Sequence, residues 1–258
     1  MTADGVLLVA HGTVENLDDL PAFLTRIRRG RPAPEGLAEE LRRRYEAIGG
    51  SPLLELTSAQ ARALQERLGL PVFVGMRLWD PSVESILREA ARRGIERLCV
   101  LALAPFSVHV YWDAAVRALE SIVSDFSGKA PELVKAEPYG THPAFVKAHA
   151  QRIGSSLGDR PALILTAHSL PSAVLRAGDP YETLAAESAH AIGQALEHDY
   201  MLAFQSQGAD GGEWLGPALR PTLERLRAEG RTRVVLAPFG FLAEHVETLY
   251  DLDIEAKA

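Results

Sequence analysis

Short apolar runs alternate with segments of helical periodicity along the whole chain, and this alternation constrains the fold more than any other feature. It is typical of parallel sheets covered by helices, because parallel strands need crossover connections and are buried on both faces. With 258 residues, of which 47% are apolar, the chain can bury one large core or two smaller ones. The predicted strands are Val6–Ala10, Pro71–Gly75, Leu98–Leu103, Leu133–Glu137, Ala162–Thr166, Tyr200–Gln205 and a run that begins at Val234.

Helical spacing and turn residues predict a helix between most of these strands. The segment Asn16–Arg31 is polar, basic and interrupted by proline, so no helix is predicted there. Ser124–Lys129 has little pattern and could be a boundary. The predicted helices are Glu35–Ile48, Thr57–Leu68, Pro81–Arg93 with its proline in the first turn, Trp112–Val123, Pro143–Leu157, Thr183–Leu196, Trp214–Arg227 and one that follows Gly240.

Two sequence patterns occur once in each half of the chain. VLLVAHG at 6–12 is similar to LILTAHS at 163–169, and VLALAPFSVH at 100–109 is similar to VVLAPFGFLAEH at 234–245. We therefore predict two similar α/β lobes, residues 1–130 and 131–258. If the lobes face each other, both strand-end histidines lie in one cleft at the carboxyl ends of the sheets, where open α/β sheets bind ligands.

The helix predicted after Gly240 carries a row of acidic side chains on one face. Glu244, Glu247, Asp251 and Glu255 recur every three or four residues, and Leu242, Val246, Leu249 and Tyr250 are spaced to face the core. Carboxylates so close together repel one another. They indicate either a solvated acidic face or a site for a hard cation.

His168 is the other candidate for chemistry, since it follows a fully apolar strand. A lone histidine at such a position is commonly a buried structural residue. Together with Glu247, however, it would make an incomplete coordination shell for a divalent metal such as Fe²⁺, and either side chain alone could accept a proton.

Composition and missing motifs exclude several other functions. The net charge of -7 argues against a nucleic-acid-binding protein, and the single cysteine, Cys99, excludes an internal disulfide and indicates a small buried side chain. No G-x-S-x-G elbow, phosphate-binding glycine loop or H-E-x-x-H motif is present. With no leader and no apolar run long enough to span a bilayer, we expect a cytoplasmic protein, and a monomer.

Several longer motifs together resemble the ferrochelatase family over nearly the whole chain. They are TAHSLP at 166–171, GDPY at 178–181, FQSQG at 204–208 with WLGPAL at 214–219, and FGFLAEHVETLYDLDIEAK at 239–257. IRRGRPAPEGLAEELRRRYEAIGGSPL at 27–53 is similar to the soluble bacterial branch that acts on coproporphyrin III.

The resemblance implies two flavodoxin-like lobes that bind a porphyrin between them and insert Fe²⁺ to give haem. Fe²⁺ would then be a substrate, with no permanently bound cofactor and, given the missing cysteines, no iron-sulfur cluster. His168 and Glu247 match the histidine and glutamate at the metal-insertion face, which strip water from iron and accept pyrrole protons. Asp251 and Glu255 match acidic residues that continue outward as further metal ligands, on a helix that often has π-type distortion.

Other residues match positions of the family that contact the porphyrin or its carboxylates, for which arginine is suited by its paired N–H donors. The alternative for the arginines of the 28–31 segment is a solvated basic loop. These substrate-binding candidates are Arg28, Arg29, Arg31, Arg44, Tyr45, Ser51 and Tyr111.

The sequence departs from the family pattern in two places. His11 stands where coproporphyrin-type relatives have a tyrosine that contacts the metal from the opposite side, so we predict that His11 binds substrate and ligates iron. The chain also stops at Ala258, before the family's last strand and helix. These departures leave two alternatives open: a haem- or porphyrin-binding protein without turnover, and a sirohydrochlorin or cobalt chelatase, whose family shares the AHG spelling.

Overall fold

The computed structural model describes residues 3–123, 129–208 and 211–257. The chain forms two compact units, and both are discontinuous in sequence. The first contains Met1–Glu137 and Ala243–Tyr250, and the second contains Pro138–Leu242 and Asp251–Ala258. Most of the predicted boundary segment, residues 124–128, lies outside the described residues.

The sheet of the first unit has four parallel strands in the order β2-β1-β3-β4. Its central strand β1 is buried at all six positions, as expected for a parallel strand covered on both faces. Ala10 pairs with Met76 and Val9 pairs with Ala102, so the first three strands end at the same edge. The strands are β1 (Gly5–Ala10), β2 (Val72–Met76), β3 (Arg97–Ala102) and β4 (Glu132–Lys135).

Helices cover both faces of this sheet, because successive side chains of β1 point to opposite sides. Leu7 and Val9 pack in a core cluster with residues of α4 and α5, whereas Val6 and Leu8 pack with Ala61 of α3. The α-helices described between residues 3 and 137 are α1 (Leu20–Ile27), α2 (Leu37–Ala47), α3 (Leu53–Leu68), α4 (Val83–Arg92) and α5 (Val108–Val123).

The sheet of the second unit has three parallel strands, β5 (Ala162–His168), β6 (Tyr200–Gln205) and β7 (Val234–Ala237), in the order β6-β5-β7. In both sheets the first strand is central, with the second on one side and the third on the other. This is the beginning of the flavodoxin-like order, in which the ligand site lies at the carboxyl ends beside the central strand. The predicted α/β class with two parallel sheets is confirmed.

The α-helices described in the second unit are α6 (Pro143–Gly154), α7 (Ser172–Arg176), α8 (Tyr181–Leu196) and α9 (Leu219–Ala228). Helix α8 lies close to the start of β6 at a glycine. A Cβ atom on Gly193 would stand 2.3 Å from Cδ1 of Tyr200, so a larger residue there would push the ring away.

The long helix predicted after Gly240 is wrong. The structure has one short helix, α10 (Val246–Leu249), followed by a π-helix at Asp251–Glu255, and the residues before His245 are not helical. The π distortion that the family resemblance implied is therefore present. Thr248 and Leu252 are the buried side chains of this segment, whereas the four predicted core-facing residues are only partly buried.

Several other elements also differ from the predictions. Helix α1 was missed, α3 begins a turn earlier than predicted, and α9 begins only at Leu219. Helix α4 begins after Pro81 rather than with it, because Oγ of Ser82 accepts a hydrogen bond from the Ser85 amide and caps the helix. Strand β4, which the boundary at residue 130 assigns to the second lobe, pairs with β3 in the first sheet.

Cys99 is half-buried on β3 rather than fully buried, and burial raises the pKa of its thiol, which keeps it protonated. Among the residues that the structure describes, none of the helices combines the length and the apolar composition that crossing a bilayer demands.

Candidate functional site

Three side chains meet at the carboxyl edge of the first sheet. His11 directly follows β1, Arg77 directly follows β2, and Tyr111 is in the first turn of α5 after β3. Nδ1 of His11 is 3.3 Å from Nη2 of Arg77, whose guanidinium lies 5.5 Å from the centre of the Tyr111 ring. The topology of a parallel sheet therefore builds this group, which we call the His11 cluster.

Arg77 is an unusual member of the cluster because most of its side chain is buried. Its Nε is buried without a hydrogen-bond partner among the described residues. Burial is the main cause that lowers the pKa of the guanidinium; Tyr111 opposes it, and the positive charges of Arg29 and Arg117 make smaller contributions that lower the pKa further. The guanidinium therefore lies where an anionic group would be stabilised.

Glu247 adds a negative charge to the same unit. Burial is the main cause that raises the pKa of both Tyr45 and Tyr111, and the Glu247 carboxylate raises it further in each case. Its Oε2 is 3.2 Å from Nε2 of His245, the residue that precedes α10. A backbone and side-chain exchange between His245 and Thr248 fixes the first turn of this helix, so the position of Glu247 is well defined.

Tyr45 is buried rather than open to a ligand. Its hydroxyl is 2.9 Å from Oγ1 of Thr13, and its ring packs with Val14, Leu20 and Phe23. The Thr13 hydrogen bond lowers the pKa of Tyr45 and partly offsets the effect of burial. The structure thus places Tyr45 behind the loop that follows β1, where it supports the segment after His11.

The arginines predicted to bind the substrate make different contacts within the first unit. Arg44 pairs with Glu40 at 2.6 Å and lies 5.0 Å from the centre of the Tyr250 ring. Nε of Arg28 donates to the Pro32 carbonyl at 2.9 Å, and Nε of Arg31 donates to the Arg28 carbonyl at 3.2 Å, so both shape the loop after α1.

Arg29 and Ser51 keep hydrogen-bonding capacity. The Arg29 side chain is exposed, and its backbone has a positive φ of 54°. Oγ of Ser51 is buried and has no hydrogen-bond partner among the described residues. Both are therefore able to receive polar groups of a ligand.

At the carboxyl edge of the second sheet, His168 is the last residue of β5, whereas the predicted strand ended at Thr166. Its Nδ1 is hydrogen-bonded to the backbone carbonyl of Ser169, and Tyr181 Oη donates to the His168 carbonyl at 2.8 Å. Because a carbonyl only accepts, Nδ1 must carry the proton, which leaves the lone pair on Nε2. His168 is thus prepared to accept a proton or bind a metal at Nε2.

Asp251 is also held at this edge. Gln205 pairs with His168 in the β5–β6 register, and the next residue, Ser206, has a positive φ of 59°. From this conformation Oγ of Ser206 donates to Oδ2 of Asp251 at 2.5 Å. The first residue of the π-helix is therefore fixed at the end of the strand beside His168, while Glu255 is exposed at the other end of the π-helix.

Comparison with known proteins identifies the family to which this chain belongs. The sequence profile described as "Ferrochelatase" matches residues 3–258. The chain belongs to the ferrochelatase family. It is a metal chelatase, an enzyme of the lyase type that inserts Fe²⁺ into a porphyrin in haem biosynthesis.

Two curated relatives illustrate the similarity. The ferrochelatase of Acidobacterium capsulatum is 35% identical over 272 residues, which cover 96% of this chain and 82% of that protein. The coproporphyrin III ferrochelatase of Geobacillus kaustophilus is 34% identical over 274 residues, which cover 98% of this chain and 85% of that protein.

One solved structure supports the fold. SirB from Bacillus subtilis, determined with Fe³⁺, matches with a TM-score of 0.52 and 13% identity, covering 93% of this chain and 89% of SirB. At this identity the similarity concerns the chelatase-like fold alone.

The predicted metal ligands of this ferrochelatase are divided between the units. His11 and Glu247 belong to the first, and His168, Asp251 and Glu255 belong to the second. Within the described ranges, no three histidine, cysteine, aspartate or glutamate side chains form a group that could hold a metal ion. Joint action of these residues on one iron stays a prediction.

Arg77, Tyr181 and Ser206 were missed as site residues. Tyr181 and Ser206 lie inside the family motifs GDPY and FQSQG, so the motifs pointed to them without indicating what they do. No local signal marks Arg77, whose partner His11 is 66 residues away in sequence.

Proposed function

We propose that this ferrochelatase inserts Fe²⁺ into coproporphyrin III. The observation that supports this most is the 34% identity, over 98% of the chain, to relatives named coproporphyrin III ferrochelatase from Geobacillus kaustophilus and Oceanobacillus iheyensis. Coproporphyrin III carries more carboxylate groups than protoporphyrin IX. The half-buried Arg77 and the nearby charges of Arg29 and Arg117 favour the more anionic substrate.

In this proposal His168 accepts pyrrole protons. Its Nδ1 donates to a backbone carbonyl, so Nε2 is the basic nitrogen of the ring. Tyr181 holds the main chain of the same residue, which keeps the imidazole in one orientation. A positioned proton acceptor of this kind contributes roughly 10²- to 10⁴-fold to a reaction rate.

The acidic residues of the terminal segment deliver iron in the same proposal. Asp251 is fixed by Ser206, Glu255 is exposed, and Glu247 is the innermost carboxylate by analogy with the family. Oxygen ligands suit the exchange of water molecules on a hydrated divalent cation. The π-helix changes which way the Asp251–Glu255 carboxylates point relative to a regular helix.

Substrate binding is assigned to the first unit, where His11 directly follows β1, Arg29 lies in the loop after α1 and Ser51 lies just before α3. Arg28, Arg31 and Arg44 shape the adjoining loop and helix and reach the porphyrin carboxylates only by exchanging their present partners. Tyr45 and Tyr111 are buried and act as support for the porphyrin face. We expect the enzyme to act as a cytoplasmic monomer.

The decisive experiment offers anaerobic Fe²⁺ with coproporphyrin III or protoporphyrin IX, and Co²⁺ with sirohydrochlorin. Metallated product is followed by absorbance in each reaction. We expect the highest kcat/KM with coproporphyrin III. Higher efficiency with protoporphyrin IX would overturn the substrate assignment, efficient cobalt insertion into sirohydrochlorin would move the chain to that chelatase class, and haem binding without any insertion would identify a binding protein.

A further inference from the structure

The contact between Arg77 and His11 has only one possible polarity. A guanidinium has N–H donors and no acceptor, so at 3.3 Å the Arg77 Nη2 donates and the His11 Nδ1 accepts. A neutral imidazole that accepts at Nδ1 carries its proton on Nε2. The second ring nitrogen of His11 is therefore an N–H group.

We infer that Arg77 fixes His11 as a hydrogen-bond donor at Nε2, so that His11 contacts the porphyrin without ligating its iron. The inference rests on the proposed function, which places the porphyrin at this edge of the first sheet. It revises the predicted role of His11 as an axial ligand. Ligation needs a lone pair on the nitrogen that faces the metal, and in this tautomer Nε2 has none to offer.

The backbone prevents Arg77 and His11 from separating. The Arg77 amide donates to the Ala10 carbonyl at 2.8 Å, and the Leu78 amide donates to the His11 carbonyl at 3.0 Å, so the β1–β2 ladder continues past both strand ends. Gly12 approaches the Trp79 backbone so closely that a Cβ would stand 3.0 Å from its nitrogen. The two side chains therefore start from a fixed spacing.

The side chain of Arg77 is equally confined. It packs over the Tyr111 ring, which is 9% exposed, and much of its own surface is buried. A switch of His11 to the other tautomer would point an N–H of the ring at an N–H of the guanidinium. That arrangement loses a charge-assisted hydrogen bond and adds repulsion between the two groups.

The hydrogen bond between Arg77 and His11 affects how the protein binds its metallated product. An imidazole with a free lone pair binds haem iron well, and an enzyme that must release metallated porphyrin is slowed by such a bond. With its proton on Nε2, His11 can instead donate a hydrogen bond to the substrate. Arg77 is a positioning residue in this account, because it acts through His11.

The tautomer is measured directly by ¹⁵N NMR of the histidine ring nitrogens in the ligand-free protein, with His11→Ala to assign the signals. We expect His11 to show a protonated Nε2 and an unprotonated Nδ1. In Arg77→Leu the preference should weaken or reverse, and in Arg77→Lys, which keeps a cationic donor, it should be retained. A protonated Nδ1 in the wild-type protein would overturn the inference.

Haem spectroscopy provides the functional measurement. Ferric coproporphyrin haem bound to the wild-type protein should show no imidazole ligand, and haem bound to His11→Ala should show none either. Arg77→Leu should acquire the absorbance and EPR signature of an imidazole ligand and bind haem on the order of 10- to 100-fold tighter, the range that corresponds to a hydrogen bond with a charged partner. The double variant Arg77→Leu with His11→Ala should lose both changes.

Imidazole ligation that already depends on His11 in the wild-type protein would overturn the inference. If Arg77→Leu does not fold, Arg77→Lys and the wild-type NMR result still decide it. Failure of the proposed function is distinguishable, since it shows as absent Fe²⁺ insertion in the metallation assay and leaves the NMR result intact.

Discussion

The carboxyl edges of the two sheets place a histidine at the same point but constrain it in different ways. His11 follows the central strand of the first sheet, and His168 ends the central strand of the second. A side chain, Arg77, donates to Nδ1 of His11, whereas Nδ1 of His168 donates to a main-chain carbonyl. Two equivalent imidazoles thus have their protons on opposite nitrogens.

The difference teaches that a repeated motif can repeat a position without repeating its chemistry. VLLVAHG and LILTAHS predict the same strand and the same strand-end histidine. The two histidines differ in the hydrogen-bond partner of Nδ1. For His11 the partner is Arg77, 66 residues away in sequence, and for His168 it is the carbonyl of the next residue, Ser169. The first is a property of the tertiary fold, and the second is local.

The largest expected effect is the loss of His168. We expect His168→Ala to reduce kcat for Fe²⁺ insertion by about 100-fold or more, because it removes the proton acceptor, whereas His11→Ala should reduce it by less than about 10-fold. Anaerobic metallation of coproporphyrin III measures both. His190→Ala, on the exposed side of α8, is the matched control and should behave as the wild type. Equal losses at His11 and His168 would break the comparison.

We propose that Glu247, rather than His11, is the proton acceptor that the first unit contributes. Glu247→Gln should reduce Fe²⁺ insertion by about 10- to 100-fold and should also lower the pKa of Tyr111, since the carboxylate that raises it is gone. Metallation kinetics and an alkaline absorbance titration of the tyrosines give the two results. Glu244→Gln, three residues earlier and exposed, is the control. An unchanged rate in Glu247→Gln would show that the first unit supplies no acceptor.

Ser206 concerns the edge of the second sheet. Its backbone has a positive φ, and from this conformation its side chain holds Asp251 beside His168. Ser206→Ala and Ser206→Gly both lose the hydrogen bond to Asp251, at a cost of about 1 kcal/mol. Glycine also relieves the positive φ, so Ser206→Gly should be about 0.5–1 kcal/mol more stable than Ser206→Ala.

Urea unfolding measures the Ser206 variants, with Ser155→Ala as a control at an exposed serine that ends α6. Equal stability of the alanine and glycine variants would mean that the positive φ at residue 206 stores no strain.

The smallest expected effect is the change in stability when Tyr45 is substituted. Tyr45 supports the segment after His11 through its contact with Thr13. Its pKa is raised in the folded protein above the ordinary value of about 10, so the stability that it contributes is present below about pH 10 and is lost as pH rises through the folded value. Tyr45→Phe should cost about 1 kcal/mol at neutral pH through the lost Thr13 hydrogen bond, and its stability should decline less between pH 10 and higher pH.

Thermal unfolding across this pH range measures the Tyr45 effect. Thr13→Val keeps the phenol but removes the hydrogen bond that lowers its pKa, so the alkaline decline should begin near pH 10 as in the wild type and continue to higher pH. An alkaline decline in Tyr45→Phe as steep as that of the wild type would assign it to other groups.

Sequence patterns predicted the sheets better than the site. Most strands are short, largely apolar runs bounded by turn residues, so β1 and β6 were placed within a residue of their observed bounds, and the prediction for β5 ended two residues early. The helix after Gly240 failed because acidic and apolar residues recur at helical spacing throughout it. The break at Tyr250–Asp251 depends on Thr248 and Ser206, whose contacts are tertiary or cap-specific.

Helix α1 shows a signal that was present and not used. Pro21 stands in the first turn of this helix, a position that proline favours, and Leu20, Phe23 and Leu24 are buried at helical spacing. The charged residues that follow them concealed the pattern. Arg77, in contrast, could not have been found from sequence, since its role exists only when the ends of β1 and β2 are aligned.

The order in which the units are built follows from the path of the chain. Residues 243–250 complete the first unit, where Val246 packs against the cluster that contains Tyr45, but a ribosome makes them after nearly all of the second unit. Domains tend to fold as they emerge from the ribosome. The first unit must therefore fold without residues 243–250 until residues 138–242 have been translated. Glu247 can therefore join the first unit only after residues 138–242 of the second unit have been made.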